Sequence, residues 1–293
     1  MNKITSYIKL ARPHQYVKNG FIFFPVFFGH KLGDPDAVWQ TFLAFFCFSL
    51  GASSVYIFND INDIGEDRNH PVKKHRPLVS GVIKRTESII LLLLLLATTL
   101  FISITFLPAA FLYILGAYFF INFFYSLGLK NIPIVDVTII AIGFVLRVFA
   151  GGVAAELIPS HWIVLMTFLI AIFLALAKRR DELVLAQYGR NNNGRRCLSG
   201  YNLEFVSAGM NIMAGVTIVS YILYTVSPEV VAVHGTDKIY FTSFWVIIGI
   251  LRYLQVTLVQ GKSGSPTLAL INDPFLVAVL ALWILNFIFV LYF

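Results

Sequence analysis

Nine apolar runs, roughly 17–25 residues each, recur along the chain near 19–33, 38–58, 85–105, 108–127, 133–153, 161–178, 204–226, 239–259 and 274–292. A hydrocarbon layer about 30 Å thick takes about 20 residues of helix. Inside that layer each backbone N–H and C=O must be bonded within the protein. The pattern therefore predicts an all-α integral membrane protein with about nine transmembrane helices, folded as a single transmembrane domain over residues 1–293. Composition agrees, with 58% apolar and 13% charged residues, against about 25% charged in an average soluble chain. The first run is short, and the runs at 204–226 and 239–259 carry polar residues.

The charge distribution orients these spans. Of 22 Lys and Arg, 19 fall in 1–18, 59–85, 128–132, 178–203 and 252–273. Two, Lys31 and Lys238, fall in the opposite loops, and Arg147 lies inside a span. The positive-inside rule then places the N-terminus and the loops 59–84 and 178–203 in the cytoplasm, in a bacterial-type inner membrane. The net charge of +7 reads as topology and anionic ligands, not as nucleic-acid binding. Cys47 and Cys197 form no framework, and the six histidines show no metal-ligand spacing. No small-residue cleavage site follows the first run, so no removable signal peptide is expected.

Between the second and third runs lies NDINDIGEDRNHPVKKHRPLVSG, residues 59–81. Asn59, Asp63 and Asp67 recur every four residues, which stacks them on one helical face, and Asp60 adds a carboxylate. Arg68, His70, Lys73, Lys74, His75 and Arg76 follow closely. Carboxylates next to cations suit a polyphosphate held by Mg²⁺ and capped by basic side chains. The alternative is a solvated loop between spans.

Four further places carry candidate chemistry. Arg147 is mid-span, where a cation is costly and marks a cavity or a partner. Asp136, Gly143, Arg147 and Gly151 share one helical face, with the glycines making room for a ligand, or else the stripe is an intramembrane ion pair. Gln15, Lys18 and Asn19 at i, i+3 and i+4 line one turn of an N-terminal segment that otherwise reads as a membrane-surface helix. Tyr125 and Lys130 flank the short cytoplasmic turn before the fifth run. After the sixth run come Lys178, Arg179, Arg180, Asp181 and Glu182. Lys178 and Arg179 are candidates for phosphate oxygens, Lys178 and Glu182 for an i,i+4 pair, and Arg180 for a membrane anchor.

These motifs, with nine spans and the acidic run on the second-to-third cytoplasmic loop, resemble the UbiA superfamily of intramembrane prenyltransferases over nearly the whole chain. The resemblance implies a UbiA-like bundle around a central cavity open to the cytoplasm. Where that family carries a second acidic motif, this sequence has the basic AKRRDEL, residues 177–183. That departure, with RPHQYVKN and YSLGLKNIPIVDVTIIAIGFVLRVFAGG, resembles the decaprenyl-phosphate phosphoribosyltransferase branch. The branch implies Mg²⁺-dependent transfer of 5-phosphoribose from 5-phosphoribosyl diphosphate (PRPP) to a polyprenyl phosphate. By this resemblance Asn59, Asp63 and Asp67 hold Mg²⁺, and these three with Arg147 are catalytic. Gln15, Lys18, Asp60, Lys73, Arg76, Tyr125, Lys130, Asp136, Lys178 and Arg179 contact substrate. A homo-oligomer is compatible with it. Two other readings stay open: a UbiA-type aromatic prenyltransferase using a prenyl diphosphate, and an anionic-substrate transporter.

Overall fold

The structure is a computed structural model and describes residues 3–68, 73–187, 196–260, 269 and 272–292. Among these residues every regular element is a helix. The α-helices are α1 (Lys3–Ala11), α2 (Phe24–Phe28), α3 (Pro35–Asn62), α4 (Ile64–Arg68), α5 (Arg85–Phe106), α6 (Ala109–Leu127), α7 (Val135–Ala154), α8 (His161–Gln187), α9 (Leu203–Val226), α10 (Pro228–His234), α11 (Ser243–Leu258) and α12 (Pro274–Tyr292). Seven helical segments among the described residues are long and apolar enough to cross a membrane: α3, α5, α6, α7, α8, α9 and Lys238–Leu258. The last expected run is α12, whose apolar stretch is shorter, Pro274–Val290.

The first expected run, 19–33, does not form one helix. It falls on the end of a 3₁₀ helix, Pro13–Phe23, followed by the five-residue α2. Pro13 sets where the irregular segment begins, since the residue before a proline is disfavoured in the α region. Arg12 leaves α1 in the left-handed region, φ 54° and ψ 52°, and Pro13 starts the 3₁₀ helix. The expected amphipathic N-terminal helix is therefore only nine residues long.

Capping sets several other boundaries. Asp34 accepts from the N–H groups of Asp36 and Ala37, both at 3.2 Å, and Pro35 follows it at the first position of α3. Glu87 reaches back to the N–H of Lys84 at the start of α5, 3.0 Å. Asn202 accepts from Phe205 N–H at the start of α9, 2.7 Å. Leu107–Pro108 separates α5 from α6.

The chain divides into two compact units, Met1–Val164 with Asn191–Cys197, and Leu165–Arg190 with Leu198–Phe293. In the first unit α3 is the central helix. Its run Gly51, Ala52, Ser53 and Ser54 is small and buried, which lets neighbouring backbones approach closely. Ala44, Cys47, Phe48, Ala52 and Val55 of α3 pack with Phe111, Leu115 and Tyr118 of α6 and Ala150 and Ala154 of α7. Helix α5 presents Ile90, Leu93, Leu94, Phe101 and Ile104 outward, as a lipid-facing helix does.

The 3₁₀ segment lies along α3 and α7. With three residues per turn, positions three apart share a face. Tyr16, Asn19 and Ile22 follow that spacing and face inward: Tyr16 bonds Ser53, Asn19 bonds Ser49, and Ile22 joins the core. The expected turn of Gln15, Lys18 and Asn19 is corrected accordingly. Gln15 and Lys18 share a face, and Asn19 points elsewhere.

In the second unit Arg180 donates to Ser207 Oγ at 3.3 Å and to the Thr257 carbonyl at 2.7 Å. It therefore ties α8 to α9 and α11 rather than acting as a simple anchor. Trp283 donates to Tyr221, 2.8 Å, and Tyr221 bonds Thr242, 2.7 Å.

The glycines of α7 test the packing directly. A Cβ on Gly151 would meet the Ile22 backbone carbonyl, so this glycine makes room for the chain, not for a ligand. Gly151→Ala is expected to lower the melting temperature of the detergent-solubilised protein, by an overpacking cost of about 1–3 kcal/mol. Gly116→Ala in α6, where a Cβ meets nothing within 4 Å, is expected to melt no lower than the parent. Equal melting of the two variants would contradict this packing.

Candidate active site

The acidic run straddles the break between α3 and α4, with Asp63 at the C-cap. The four-residue spacing survives the break in the backbone: Asp63 N–H donates to Asn59 O at 2.9 Å, and Asp67 N–H to Asp63 O at 2.8 Å. The side chains, however, do not act as one stack. Ser126 donates to Asn59 Oδ1, and Lys130 Nζ donates to Asp63 Oδ1 at 2.5 Å. Asp60 and Asp67, seven residues or two turns apart, share Arg76: its Nη1 lies 2.9 Å from Asp60 Oδ1 and bonds Asp67 Oδ2. Arg12 pairs with Asp60, and Lys73 Nζ lies 3.6 Å from Asp67 Oδ1.

Two groupings result. Asp60 and Asp67 are almost fully buried and are met by three cations, Arg12, Arg76 and Lys73. Asp63 is more open, with 22% of its side chain exposed, and is met by Lys130. Among the described residues no three His, Cys, Asp or Glu side chains converge on one point. The expected Asn59–Asp63–Asp67 metal face is thus divided between Ser126, Lys130 and Arg76. Its donor chemistry still fits Mg²⁺, since it offers one amide and two carboxylate groups, all oxygen. His70 lies outside the described residues.

The N-terminal segment supplies a second set of contacts along α3. Arg12 also lies over the Tyr56 ring, 5.3 Å from its centroid. Ser53 Oγ donates to the Ala11 carbonyl at 2.7 Å and bonds Tyr16 OH at 2.9 Å. Asn19 donates to Ser49 at 2.8 Å and accepts from Arg147 Nε at 2.7 Å. Burial outside the spans pushes the Arg12 guanidinium below its ordinary pKa, against the pull of Asp60.

Arg147 is 5% exposed. Its Nη1 donates to Gly143 O at 2.6 Å and its Nη2 to Tyr118 OH at 3.3 Å. The rings of Phe48, Tyr118 and Phe144 surround it at 5.1, 5.1 and 5.2 Å. The expected stripe on α7 is therefore corrected. Asp136 shares the face of Arg147, but eleven residues are about 16 Å along a helix. Asp136 is fully buried and accepts from Cys197 Sγ at 3.6 Å instead.

The remaining candidates are placed as follows. Gln15, Lys18 and Tyr125 are half-buried. Lys178 is half-buried and Arg179 is buried on α8, where Arg179 donates to Glu182 at 2.6 Å. Arg12, Tyr118 and Ser126 take part in the site without having been singled out from the sequence. Arg12 precedes a proline on the same basic segment as Lys18, which is the only local signal any of the three carries.

The unequal burial of the carboxylates gives a stability prediction. Asp60→Asn removes a buried anion from between Arg12 and Arg76 and is expected to destabilise by about 3 kcal/mol, as breaking a buried pair does. Asp63→Asn loosens a more exposed pair and is expected to cost under about 1 kcal/mol. Thermal melts of the two purified variants check the order.

The profile of the UbiA prenyltransferase family matches residues 21–270. The chain is 30% identical to a decaprenyl-phosphate phosphoribosyltransferase of Mycolicibacterium smegmatis, covering 97% of this chain and 91% of that one. It is 28% identical to the protein of the same name in Corynebacterium glutamicum, covering 97% and 86%. The fold is shared with a UbiA homolog from Archaeoglobus fulgidus bound to GPP and Mg²⁺, at a TM-score of 0.74 and 18% identity over 98% of this chain and 100% of the other. This integral membrane protein, whose regular elements among the described residues are all helices, carries an acidic run at the end of α3 and a profile match over most of its length, and it belongs to the UbiA prenyltransferase family.

Proposed function

We propose that the protein transfers 5-phosphoribose from PRPP to a polyprenyl phosphate, releasing diphosphate, with Mg²⁺ as cofactor. The observation that carries this reading is the contact of Asp60, Asp63 and Asp67 with four cations, Arg12, Lys73, Arg76 and Lys130. A metal–diphosphate is the type of ligand that exchanges with both sets. The names of the two relatives, at about 30% identity over nearly the whole chain, support the choice of substrates. So does the basic Lys178–Arg179–Arg180 run on α8.

In this reading Asn59, Asp63 and Asp67 hold the ion, which when bound neutralises charge on diphosphate oxygens. Lys130 and Arg76 turn from carboxylate to phosphate oxygens, joined by Lys73. Lys178 is a further phosphate ligand, and Arg179 acts with it through its ion pair to Glu182. Gln15 and Tyr125 border the substrates, and Asp60 holds Arg12 and Arg76 in position. Asp136 fixes the start of α7. The lipid phosphate is an anion near neutral pH and needs no strong base. One of its oxygens bonds to C1 of the ribose as the C1–O bond to diphosphate breaks, through an oxocarbenium-like state. A single displacement inverts C1. The protein's work is positioning and charge stabilisation.

The same reading makes the chain one UbiA-like domain of nine spans around a cavity open to the cytoplasm. Its N-terminus is cytoplasmic, in a bacterial inner membrane, where PRPP is available.

The test is direct. Purified protein with Mg²⁺, ribose-labelled PRPP and a polyprenyl phosphate is expected to yield labelled lipid, and chelation with EDTA to stop it. Asp63→Asn is expected to lower turnover by about 10²-fold or more while leaving the fold intact. Turnover of a prenyl diphosphate with an aromatic acid, and no label in lipid, would overturn the reading. Arg147→Ala is expected to insert in the membrane and lose transfer. A variant that fails to accumulate would make Arg147 a folding residue only.

A further inference from the structure

Six basic residues named above fall into two kinds. Arg12, Lys73, Arg76 and Lys130 each touch a carboxylate. Arg147 and Lys18 do not. The partners of Arg147 are all neutral: the Asn19 amide, the Gly143 carbonyl, the Tyr118 hydroxyl and three aromatic rings. Among the described residues no carboxylate pairs with Lys18, and the charged groups that act on it are Arg147 and Arg12. Burial and those two arginines lower its pKa to about 8. His14 feels the same field, its pKa lowered by burial and then by Arg12 and Lys18.

The two kinds of cation suit different ligands. A cation already paired with a carboxylate can exchange it for a metal–diphosphate with little change in net charge. Two cations without a carboxylate, one of them buried among aromatic rings, are completed by an anion that brings no metal of its own. Depth points the same way. Arg12 meets α3 at Asp60, and Asn19, next to Lys18, meets it at Ser49. Those eleven residues are about 16 Å of helix, so Lys18 lies on the side of the acidic run that leads into the apolar layer.

Accepting the transfer reading above, we propose that Lys18 and Arg147 form the subsite for the phosphate of the lipid acceptor, separate from the acidic run that takes the donor diphosphate. Lys18 touches the phosphate. Arg147, held rigidly by its three hydrogen bonds, is a positioning residue that supplies the field. The shared chemistry is a phosphate monoester, and its other source would be the C5 phosphate of PRPP.

Equilibrium binding to the purified full chain, without turnover, distinguishes the sources. The probes are a polyprenyl monophosphate, the matching polyprenol, and PRPP with Mg²⁺. Lys18→Gln is expected to bind polyprenyl phosphate about tenfold or more weakly, the loss of one charge-assisted hydrogen bond. Its PRPP affinity is expected to stay within about twofold of wild type. Lys18→Arg is expected to keep lipid binding. Wild-type affinity for the lipid phosphate should fall as pH rises through about 8, because the protonated amine is the binding form, while Lys18→Arg holds at pH about 9. Unchanged lipid affinity in a well-folded Lys18→Gln would overturn the subsite, as would polyprenol binding as tightly as its phosphate. Loss of PRPP binding with lipid binding intact would assign the site to the donor. The two readings fail separately. Lipid binding that needs Lys18, in a protein that neither binds nor uses PRPP, removes the transfer reading alone. Label transfer with lipid affinity indifferent to Lys18 removes the subsite alone.

Discussion

A guanidinium in an apolar layer has to be solvated by the protein, and the first half of this chain is arranged to do that for Arg147. No water competes for its donors there, so each is met by a fixed oxygen: an amide from the N-terminal segment, a carbonyl from its own helix and a phenol from α6. Three elements are thereby held at one point. The aromatic rings close the remaining sides with their negative faces. Because none of these groups is charged, the arrangement stabilises the cation without cancelling it. The positive potential survives at a depth where counter-ions from solution do not reach.

The acidic run is built on the opposite principle. There each carboxylate is compensated at once, and one arginine serves two of them. Burial makes the pairs costly to break, while Asp63 and Lys130 keep some access to solvent. One helix, α3, carries both regimes along its length, uncompensated charge toward its middle and compensated charge at its end.

How much of this was legible beforehand depends on the physics behind each element. The runs at 85–105, 108–127, 204–226 and 274–292 match α5, α6, α9 and α12 within a residue or so, because hydropathy changes sharply at their ends and Pro108, Asn202 and Pro274 mark the boundaries. The run at 161–178 marks the spanning part of α8, which continues to Gln187 through charged residues, since a helix does not stop where its lipid-facing part does. At 19–33 the run is apolar but is built from the end of a 3₁₀ helix and the short α2, a difference in backbone that hydropathy does not register. The acidic run was readable as a cluster, from spacing alone. The share taken by Ser126 and Lys130 was not, because partners 67 residues away in sequence leave no local trace. Asp136 and Arg147 show the converse: a shared face gives direction but not distance.

The 3₁₀ segment has a consequence for scale. From Arg12 to Asn19 the chain advances seven residues while its contacts on α3 move eleven, from Asp60 to Ser49. An α-helix rising 1.5 Å per residue would cover about 10 Å in that stretch, too little for the roughly 16 Å required. A 3₁₀ helix rising about 2.0 Å per residue covers about 14 Å, and the side chains span the rest. The segment therefore works as a gauge. Its pitch sets how far apart, measured along α3, the compensated and the uncompensated charges are kept.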